Sequence, residues 1–236
     1  MTTVILLRHG RSTSNAGGTL AGRTPGVELD ETGRGQAERL PGRLAEVRID
    51  RLVSSPLERC RQTVAPLAAA RDLPVVVEED LAEVDYGAWT GRALKDLAQE
   101  KLWRVVQAHP SAAVFPEGEG LADVGVRAVT AVRRHVAEVG PDGYLVICSH
   151  GDVIKAVLAD ALGLHLDGFQ RIVVAPASLS VIRYTELRPF VERINDTGDL
   201  DALRPPPPPP PGDEPTDPAT LATAPDSDAV PGGVPD

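Results

Sequence analysis

The sequence predicts an α/β protein, a three-layer αβα sandwich with a largely parallel central sheet, in which residues 1–200 form one domain. The first observation is a set of short, continuously apolar runs, which are typical of strands buried on both faces of a parallel sheet. These runs are Thr3–Leu7, Arg51–Ser55, Pro74–Glu78 and Tyr144–Cys148. The second observation is a set of helical patterns that separate or follow them, at Thr32–Val47, Pro56–Asp72, Leu121–Val139 and Asp152–Leu162. Strands that alternate with helices indicate helical layers on a sheet.

Three features modify this simple alternation. The runs Ser178–Tyr184 and Pro189–Ile194 predict two further strands, paired antiparallel at an edge of the sheet. The segment 79–120 is irregular and rich in glycine and proline turns, and long loops inside a domain are usually functional. We therefore interpret it as a lid or substrate-side insertion. Pro41 and Pro66 fall inside two predicted helices, where a proline kinks the helix axis.

Residues 201–236 form a tail of different composition, acidic and rich in proline, with few large apolar side chains. This composition predicts disorder, with Pro205–Pro211 as a stiff polyproline II segment. A proline run can be an SH3-type ligand, but no recognised flanking pattern accompanies it, so a plain spacer is the favoured interpretation.

Composition and charge exclude several classes of protein. The 236 residues are 42% hydrophobic and 25% charged, which is ordinary for a globular protein. The formal net charge of −10 argues against a nucleic-acid binder, because phosphate backbones attract clustered lysine and arginine. No run approaches the roughly 20 apolar residues of a membrane-spanning helix, and no signal peptide is recognisable. Cys60 and Cys148 are too few for a disulfide framework, so we expect buried free thiols and a cytoplasmic protein.

Polar motifs follow three of the predicted strands. The motif "RHG" (8–10) follows the first strand, "SSPLERCRQT" (54–63) follows the second, and "SHGD" (149–152) follows the fourth. In the second motif Ser55 is expected to cap a helix and Arg59 to lie one turn inside it. Ligands of open α/β sheets bind beyond the carboxyl ends of the strands. One rim of the sheet is therefore predicted to carry four side chains, those of Arg8, His9, Arg59 and His150.

Two arginines, two histidines and a helix N-terminus together predict a phosphate site, since guanidinium groups match phosphate oxygens in paired hydrogen bonds. Paired histidines could instead bind zinc, but no third ligand stands at a suitable spacing, so no metal is predicted. The segment Gly17–Thr24 matches the spacing of a phosphate-binding P-loop with Arg23 in place of lysine. It is rejected as a nucleotide site, because no strand directly precedes it and Pro25 stands where the helix should begin.

These motifs, with Asn15 and "EVDYGAW" (83–89), resemble the histidine phosphatase superfamily, also called phosphoglycerate-mutase-like. The resemblance spans roughly residues 3–185, with all motifs in family order. It implies that His9 is the nucleophile that becomes phosphohistidine and that Glu83 is the proton donor. It also implies that neither a metal nor another cofactor is needed. The residues that would contact the substrate or its phosphate are Arg8, Ser12, Asn15, Arg59, Glu119 in the "GE" segment, His150 and Gly151.

Elementary chemistry is compatible with these roles. An imidazole attacks phosphorus only when it is neutral, and two arginines beside His9 disfavour its cationic form. The other ring nitrogen needs an acceptor that fixes the tautomer, for which a backbone carbonyl is expected. A carboxyl group in a partly desolvated loop can retain a proton near neutral pH and give it to the leaving oxygen.

The predicted activity is phosphatase, with a phosphorylated small molecule as substrate and an undetermined oligomeric state that could be a homodimer. A phosphomutase is the alternative: the segment after Glu83 is shorter than in the mutases and lacks an adjacent arginine pair, although Arg92 and Lys95 could grip a substrate anion. A catalytically silent phosphate-binding scaffold is a further alternative, disfavoured because both His9 and Glu83 are present. Arg11 stands where many relatives carry glutamate, and it is hypothesised to favour multiply anionic substrates.

Overall fold

The structure is a computed structural model that describes residues 1–198. One mixed sheet runs through this part of the chain, and its strands are β1 Thr2–Arg8, β2 Arg51–Ser54, β3 Val75–Val77, β4 Tyr144–Ser149, β5 Leu179–Tyr184 and β6 Pro189–Asp196. The helices are α1 Thr13–Ala16, α2 Glu31–Arg43, α3 Glu58–Arg71, α4 Leu94–Leu97, α5 Lys101–Ala108, α6 Leu121–Val139 and α7 Gly151–Leu162. The predicted tail, residues 201–236, lies outside the described residues.

The order of the strands across the sheet is β3-β2-β4-β1-β5-β6. The pairs β3–β2, β2–β4 and β4–β1 are parallel, whereas β1–β5 and β5–β6 are antiparallel. The predicted, largely parallel sheet with an antiparallel pair at one edge is therefore confirmed. Because β2, β4 and β1 are immediate neighbours, the residues that follow their carboxyl ends meet at one rim of the sheet.

A helical layer covers each face of the sheet, as the sandwich prediction required. On one face, apolar side chains of α2 and α3 pack against β1, β2 and β4, in a cluster that includes Ile5, Leu40, Leu52, Leu67 and Val146. On the other face, α6 and α7 pack against the alternate residues of the same strands, in a cluster that includes Val4, Val53, Ile147, Val132 and Val157. Continuous hydrophobicity along the strands follows directly, because both of their faces are buried.

The helical predictions hold with changed boundaries. Helix α6 has the predicted limits, and α2 ends four residues early, at Arg43, soon after Pro41 and the flexible Gly42. The interpretation of segment 79–120 as irregular is wrong in part, because it contains α4 and α5. These helices are only four and eight residues long, and so short a pattern hardly shows a helical period in the sequence.

Aromatic side chains fix segment 79–120 in the core. Tyr86, Trp89 and Phe115 are almost fully buried. The ring centroid of Phe115 lies 4.9 Å from that of Tyr86 and 5.3 Å from that of Trp89. The segment thus contributes a packed wall next to the rim of the sheet. Cys60 and Cys148 are buried free thiols, as predicted. No helix among residues 1–198 is both long and apolar enough to cross a bilayer.

Two glycines allow the loop after β1 to lie directly against α2. A Cβ atom on Gly33 would stand 2.0 Å from the carbonyl oxygen of Arg11, and one on Gly10 would stand 2.8 Å from the carbonyl oxygen of Gly33. Either distance is impossible for a real contact, so the loop that follows His9 depends on the missing side chains.

We expect Gly33→Ala to destabilise the fold by roughly 1–3 kcal/mol, because the added methyl group meets backbone and cannot be accommodated without a shift. The matched control is Gly35→Ala on the same helix, where an added Cβ atom meets nothing within 4 Å. That change should stabilise by about 0.5–1 kcal/mol. Urea unfolding of both variants measures the difference, and equal stability of the two would contradict the contact.

Candidate active site

The rim at the carboxyl ends of β1, β2 and β4 gathers the four side chains expected there. Arg8 is the last residue of β1 and His9 follows it, while His150 joins β4 to α7. Arg59 comes from α3, which follows β2. All four side chains are 3% exposed or less, so their mutual contacts operate at a low effective dielectric constant.

His9 is held as one neutral tautomer. Its Nδ1 lies 2.7 Å from the carbonyl oxygen of Gly10, which can only accept, so Nδ1 carries the proton. Its Nε2 lies 3.3 Å from Nε of Arg59, which can only donate, so Nε2 presents a lone pair. Burial, followed by the charges of Arg59 and Arg8, holds the pKa of His9 well below its ordinary value. The expected backbone carbonyl is thus the one of Gly10.

Arg59 lies at the centre of the cluster. Its Nη2 donates to the carbonyl oxygen of Gly22 at 2.9 Å and to Nδ1 of His150 at 3.1 Å. Its Nη1 is buried and forms no hydrogen bond with any described residue. Every bonded partner of this guanidinium is neutral, and the closest carboxylate oxygen, Oε2 of Glu83, is 3.9 Å away. A buried cation with an unsatisfied donor favours an anionic ligand.

His150 has a partner on each ring nitrogen. Since Nδ1 accepts from Arg59, the proton lies on Nε2, which is 2.7 Å from Oγ of Ser55. Burial and the nearby charge of Arg59 hold the pKa of His150 well below its ordinary value. The prediction that Ser55 caps α3 is wrong: this helix begins at Glu58, its N-cap position Leu57 makes no side-chain bond, and Arg59 is the second helical residue. The Ser55 hydroxyl binds His150 at 2.7 Å and, ahead of the helix, accepts from the backbone N–H of Leu57 at 3.4 Å.

Arg8 and Glu83 complete the cluster from opposite sides. Nη1 of Arg8 donates to the carbonyl oxygen of Val174 at 2.7 Å, which fixes the direction of its side chain. Glu83 belongs to segment 79–120, and its Oε2 lies 3.6 Å from Nδ1 of His150. Burial, with the negative charge of Asp152 as the next cause, raises the pKa of Glu83 to about 7. The carboxyl group is therefore half protonated near neutral pH.

Two arginines that were not assigned from the sequence hold the backbone around Glu83. Nη1 of Arg127 donates to the carbonyl oxygens of Asp80 and Ala82 at 2.6 and 2.8 Å, and its Nη2 donates to that of Glu83. Nε of Arg23 donates to the same Glu83 oxygen at 2.8 Å. Nothing in the sequence around Arg127 indicates this role, because its partners are more than 40 residues away along the chain.

The segment Gly17–Thr24, rejected above as a nucleotide loop, forms a wall of the site. The next helix after it begins only at Glu31, so no helix N-terminus follows it as a P-loop requires. It contributes the carbonyl oxygen of Gly22 to Arg59 and the side chain of Arg23 to the Glu83 backbone.

Glu119 joins the two arginines that support Glu83. Its carboxylate lies 3.0 Å from Arg127 and 2.9 Å from Arg23, and it accepts from the backbone N–H of Asp85 at 3.0 Å. Glu119 therefore binds the two arginines that hold the Glu83 backbone. Its direct contact with a substrate remains a prediction.

Ser12 and Asn15 bind one another. The Ser12 hydroxyl caps α1 by accepting from the backbone N–H of Asn15, and Oδ1 of Asn15 accepts from both the backbone N–H and the hydroxyl of Ser12. They form the reciprocal capping arrangement that orders the loop after His9. Gly151 is the first residue of α7. Phosphate contacts from these three residues stay predictions.

Arg11 is engaged away from the cluster. Its Nε lies 2.6 Å from Oδ2 of Asp30, the residue that caps α2, and its Nη2 donates to Oγ1 of Thr32 at 2.6 Å. The carboxylate of Asp30 compensates its charge. The hypothesis that Arg11 selects multiply anionic substrates therefore finds no support in its contacts.

The same cluster was considered for a metal. The sequence offered no third ligand at a local spacing, but folding supplies one: ligand atoms of His9, Glu83 and His150 lie within 4.8 Å of one another. The lone pairs of both histidines, however, receive hydrogen bonds from Arg59. A cation at those nitrogens would have to displace these bonds and sit beside a buried guanidinium, so the donor set fits an anion better.

Known proteins with similar sequences agree with the family resemblance of the motifs. A family model described as the histidine phosphatase superfamily (branch 1) matches residues 4–197. Phosphoserine phosphatase 1 of Hydrogenobacter thermophilus is 32% identical over 200 residues, which cover 84% of this chain and 93% of that protein. A Yersinia pestis protein named probable phosphoglycerate mutase GpmB is 30% identical over 209 residues, covering 85% of this chain and 96% of that protein.

Solved structures extend the similarity to three dimensions. The mycobacterial glucosyl-3-phosphoglycerate phosphatase, solved with VO3, matches with a TM-score of 0.76 at 27% identity, over 82% of this chain and 98% of that one. The predicted fold and the predicted family are thereby confirmed. This chain belongs to the histidine phosphatase superfamily.

Proposed function

We propose that this protein hydrolyses phosphate monoesters through a phosphohistidine formed on Nε2 of His9, with Glu83 as the proton donor. The observation that carries the proposal is the state of His9: a buried, neutral imidazole whose Nε2 lone pair lies 3.3 Å from the guanidinium of Arg59. The class of activity, a phosphoric monoester hydrolase, was predicted from the sequence and agrees with the phosphatase names of its relatives.

Binding of the phosphate group relies on the buried positive charge. Nη1 of Arg59 is a donor without a partner among residues 1–198, and Arg8 adds a second guanidinium at the same rim. When a phosphate dianion docks, its charge offsets the repulsion that both arginines exert on His150. The protonated form of His150 then becomes accessible, and it can donate to a phosphoryl oxygen. Fixed donors of this kind stabilise the charge of the transferring phosphoryl group.

In the first step, Nε2 of His9 attacks phosphorus and forms the N–P bond, while the bond from phosphorus to the ester oxygen breaks. The electron pair of that bond stays on the leaving oxygen, which takes the proton of Glu83 and departs as an alcohol. In the second step, the Glu83 carboxylate accepts a proton from water as the water oxygen attacks phosphorus. The N–P bond breaks, its electrons return to Nε2, and inorganic phosphate leaves with Glu83 protonated again.

A phosphomutase is the second candidate, because of the similarity to the Yersinia pestis protein named for that activity. A mutase must hold the dephosphorylated product and return the phosphoryl group to another of its oxygens. Arg92, one of the two cations considered for that grip, is paired with Glu100 at 2.8 Å. That pairing reduces its availability to a substrate anion and favours the hydrolase.

The nucleophile is tested by His9→Ala. The unchanged protein should release phosphate from an aryl phosphate in the presence of a chelator, and should carry an acid-labile, base-stable phosphoryl group after brief exposure to labelled substrate. His9→Ala should lose the phosphate release and the label. Its activity should fall by at least about a thousandfold, because the nucleophile and the phosphate-binding groups act together. His165→Ala, which changes an exposed histidine, is the control. Labelling that survives in His9→Ala would place the nucleophile elsewhere.

The proton donor is tested by the pH dependence of kcat/KM for an alkyl phosphate. Because the pKa of Glu83 is about 7, its acidic form is lost as the pH rises, and kcat/KM should fall about tenfold per pH unit above that value. This fall is the descending limb of the pH profile. His9 should add no second limb near pH 6.5, because the pKa of His9 lies well below that value. Glu83→Gln should lower the rate and remove the limb.

Two comparisons sharpen this test. The exposed Glu79, four residues earlier, serves as the control, and Glu79→Gln should retain the limb. An aryl phosphate with a good leaving group should lose less rate in Glu83→Gln than an alkyl phosphate, because its oxygen needs less protonation. The same limb in Glu83→Gln would assign it to another group.

A further inference from the structure

Behind Glu83 lies a buried group of charged and polar side chains that the mechanism above does not use. Asp152, the second residue of α7, is 1% exposed, and its Oδ2 accepts a hydrogen bond from the hydroxyl of Tyr86 at 2.8 Å. Nζ of Lys155, one turn later, lies 3.7 Å from Oδ1 of Asp152. Lys155 is itself 3% exposed. Burying two charges is expensive, and a hydrophobic pair in their place is often at least as stable, so stability alone explains them poorly.

The position of this group links it to the proton donor. Tyr86 follows Glu83 by three residues in segment 79–120, and Asp152 follows His150 by two residues. Glu83 and His150 are themselves 3.6 Å apart. The Tyr86–Asp152 hydrogen bond thus ties the segment that carries the acid to the helix that begins beside it. Both side chains are at most 1% exposed, so water screens the Asp152 carboxylate little.

Charges of both signs lie around Glu83, some near its carboxyl group and two, Arg23 and Arg127, at its backbone carbonyl oxygen. Cations come from β1, α3, α6 and segment Gly17–Thr24. Neutral imidazoles come from the loop after β1 and from the junction of β4 and α7. A carboxylate and a lysine come from α7. The groups are Arg8, His9, Arg23, Arg59, Tyr86, Arg127, His150, Asp152 and Lys155. Arg59 and Arg8 favour loss of the Glu83 proton, and Asp152 opposes them.

We propose that Asp152, held by Tyr86 and Lys155, is a positioning residue whose negative charge keeps on Glu83 the proton that the leaving group needs. A like charge disfavours ionisation of a neighbouring carboxyl group, most strongly where water is excluded. Without Asp152, burial alone would oppose the two arginines, and a larger share of the Glu83 carboxyl groups would be ionised at neutral pH. This inference rests on the proposed role of Glu83 as the acid.

Asp152→Asn tests the charge while keeping the size of the side chain and an oxygen that accepts from Tyr86. Lys155 keeps its contacts with Oε1 of Gln170 at 3.1 Å and with the ring of Phe169. In the full-length chain, the limb in kcat/KM for an alkyl phosphate should move to lower pH by about one unit. At pH values above the limb, kcat/KM should fall about tenfold relative to the unchanged protein, whereas at pH values well below the limb it should hardly change. An aryl phosphate with a good leaving group should be affected less.

Asp160→Asn is the matched control, since Asp160 lies on the same helix but near the surface, paired with Arg133. It should leave the limb in place. Tyr86→Phe gives a second test that keeps every charged side chain. Without the hydroxyl donor, the Asp152 carboxylate is no longer tied to the segment that carries Glu83, so its influence weakens and the limb should move in the same direction by a smaller step. This variant decides the matter if Asp152→Asn does not fold.

The result that overturns the inference is a uniform loss of rate in Asp152→Asn or Tyr86→Phe with the limb unmoved, as expected of residues that only support the fold. Failure of the proposed function gives a different result. In that case the unchanged protein shows no limb that Glu83→Gln removes. A limb that depends on Glu83 but ignores Asp152 and Tyr86 leaves the phosphatase mechanism intact and refutes only the role of Asp152.

Discussion

The arrangement of the site depends on one buried guanidinium, that of Arg59, which donates to both active-site histidines. Because a guanidinium can only donate, it requires a lone pair from Nε2 of His9 and from Nδ1 of His150, and so selects the neutral form of each ring. The partners on the far sides of the rings, the Gly10 carbonyl and the Ser55 hydroxyl, then complete the tautomers. One side chain thus sets the protonation state of the proposed nucleophile and supplies a donor to the proposed phosphate site.

Glu83 is subject to opposing influences that are finely balanced. Burial and Asp152 favour its protonated form, and Arg59 and Arg8 favour its anion, so that neither state dominates near neutral pH. The role proposed for Glu83, which gives a proton in one step and accepts one in the next, needs this balance. The backbone bonds from Arg23 and Arg127 keep the carboxyl group beside the histidines while its charge changes.

Much of this organisation could be read from the sequence, for a physical reason. Continuously apolar strands that alternate with helices indicate a parallel sheet. Because parallel strands end at the same edge, the polar motifs that follow them predict that Arg8, His9, Arg59 and His150 lie together. Features that depend on contacts across long sequence distances were not recoverable. Ser55 stood in a good capping position, yet its hydroxyl serves a histidine 95 residues later.

Other features that the sequence did not reveal have separate physical causes. Glu119 occurs in a motif associated with substrate, and its carboxylate pairs with Arg23 and with Arg127, eight residues later, while its contact with a substrate stays a prediction. Arg23 lies in the segment that resembles a nucleotide loop, and its bond to the carbonyl oxygen of Glu83 joins residues 60 apart in the chain, a contact that no local pattern encodes. Helices α4 and α5 were missed because helices of four and eight residues carry too little periodicity.

The position of β1 in the sheet has a bearing on how the protein acquires its activity. This strand begins at the second residue of the chain, yet its neighbours are β4 and β5, which come about 140 and 180 residues later. A ribosome must therefore synthesise the chain through residue 149 before β1 can pair with β4, and further still before it can pair with β5, and pairings so distant in sequence form slowly. Until then His9 lies apart from His150, so the candidate site does not exist in a nascent or partly assembled chain, and its formation reports that the sheet is in place.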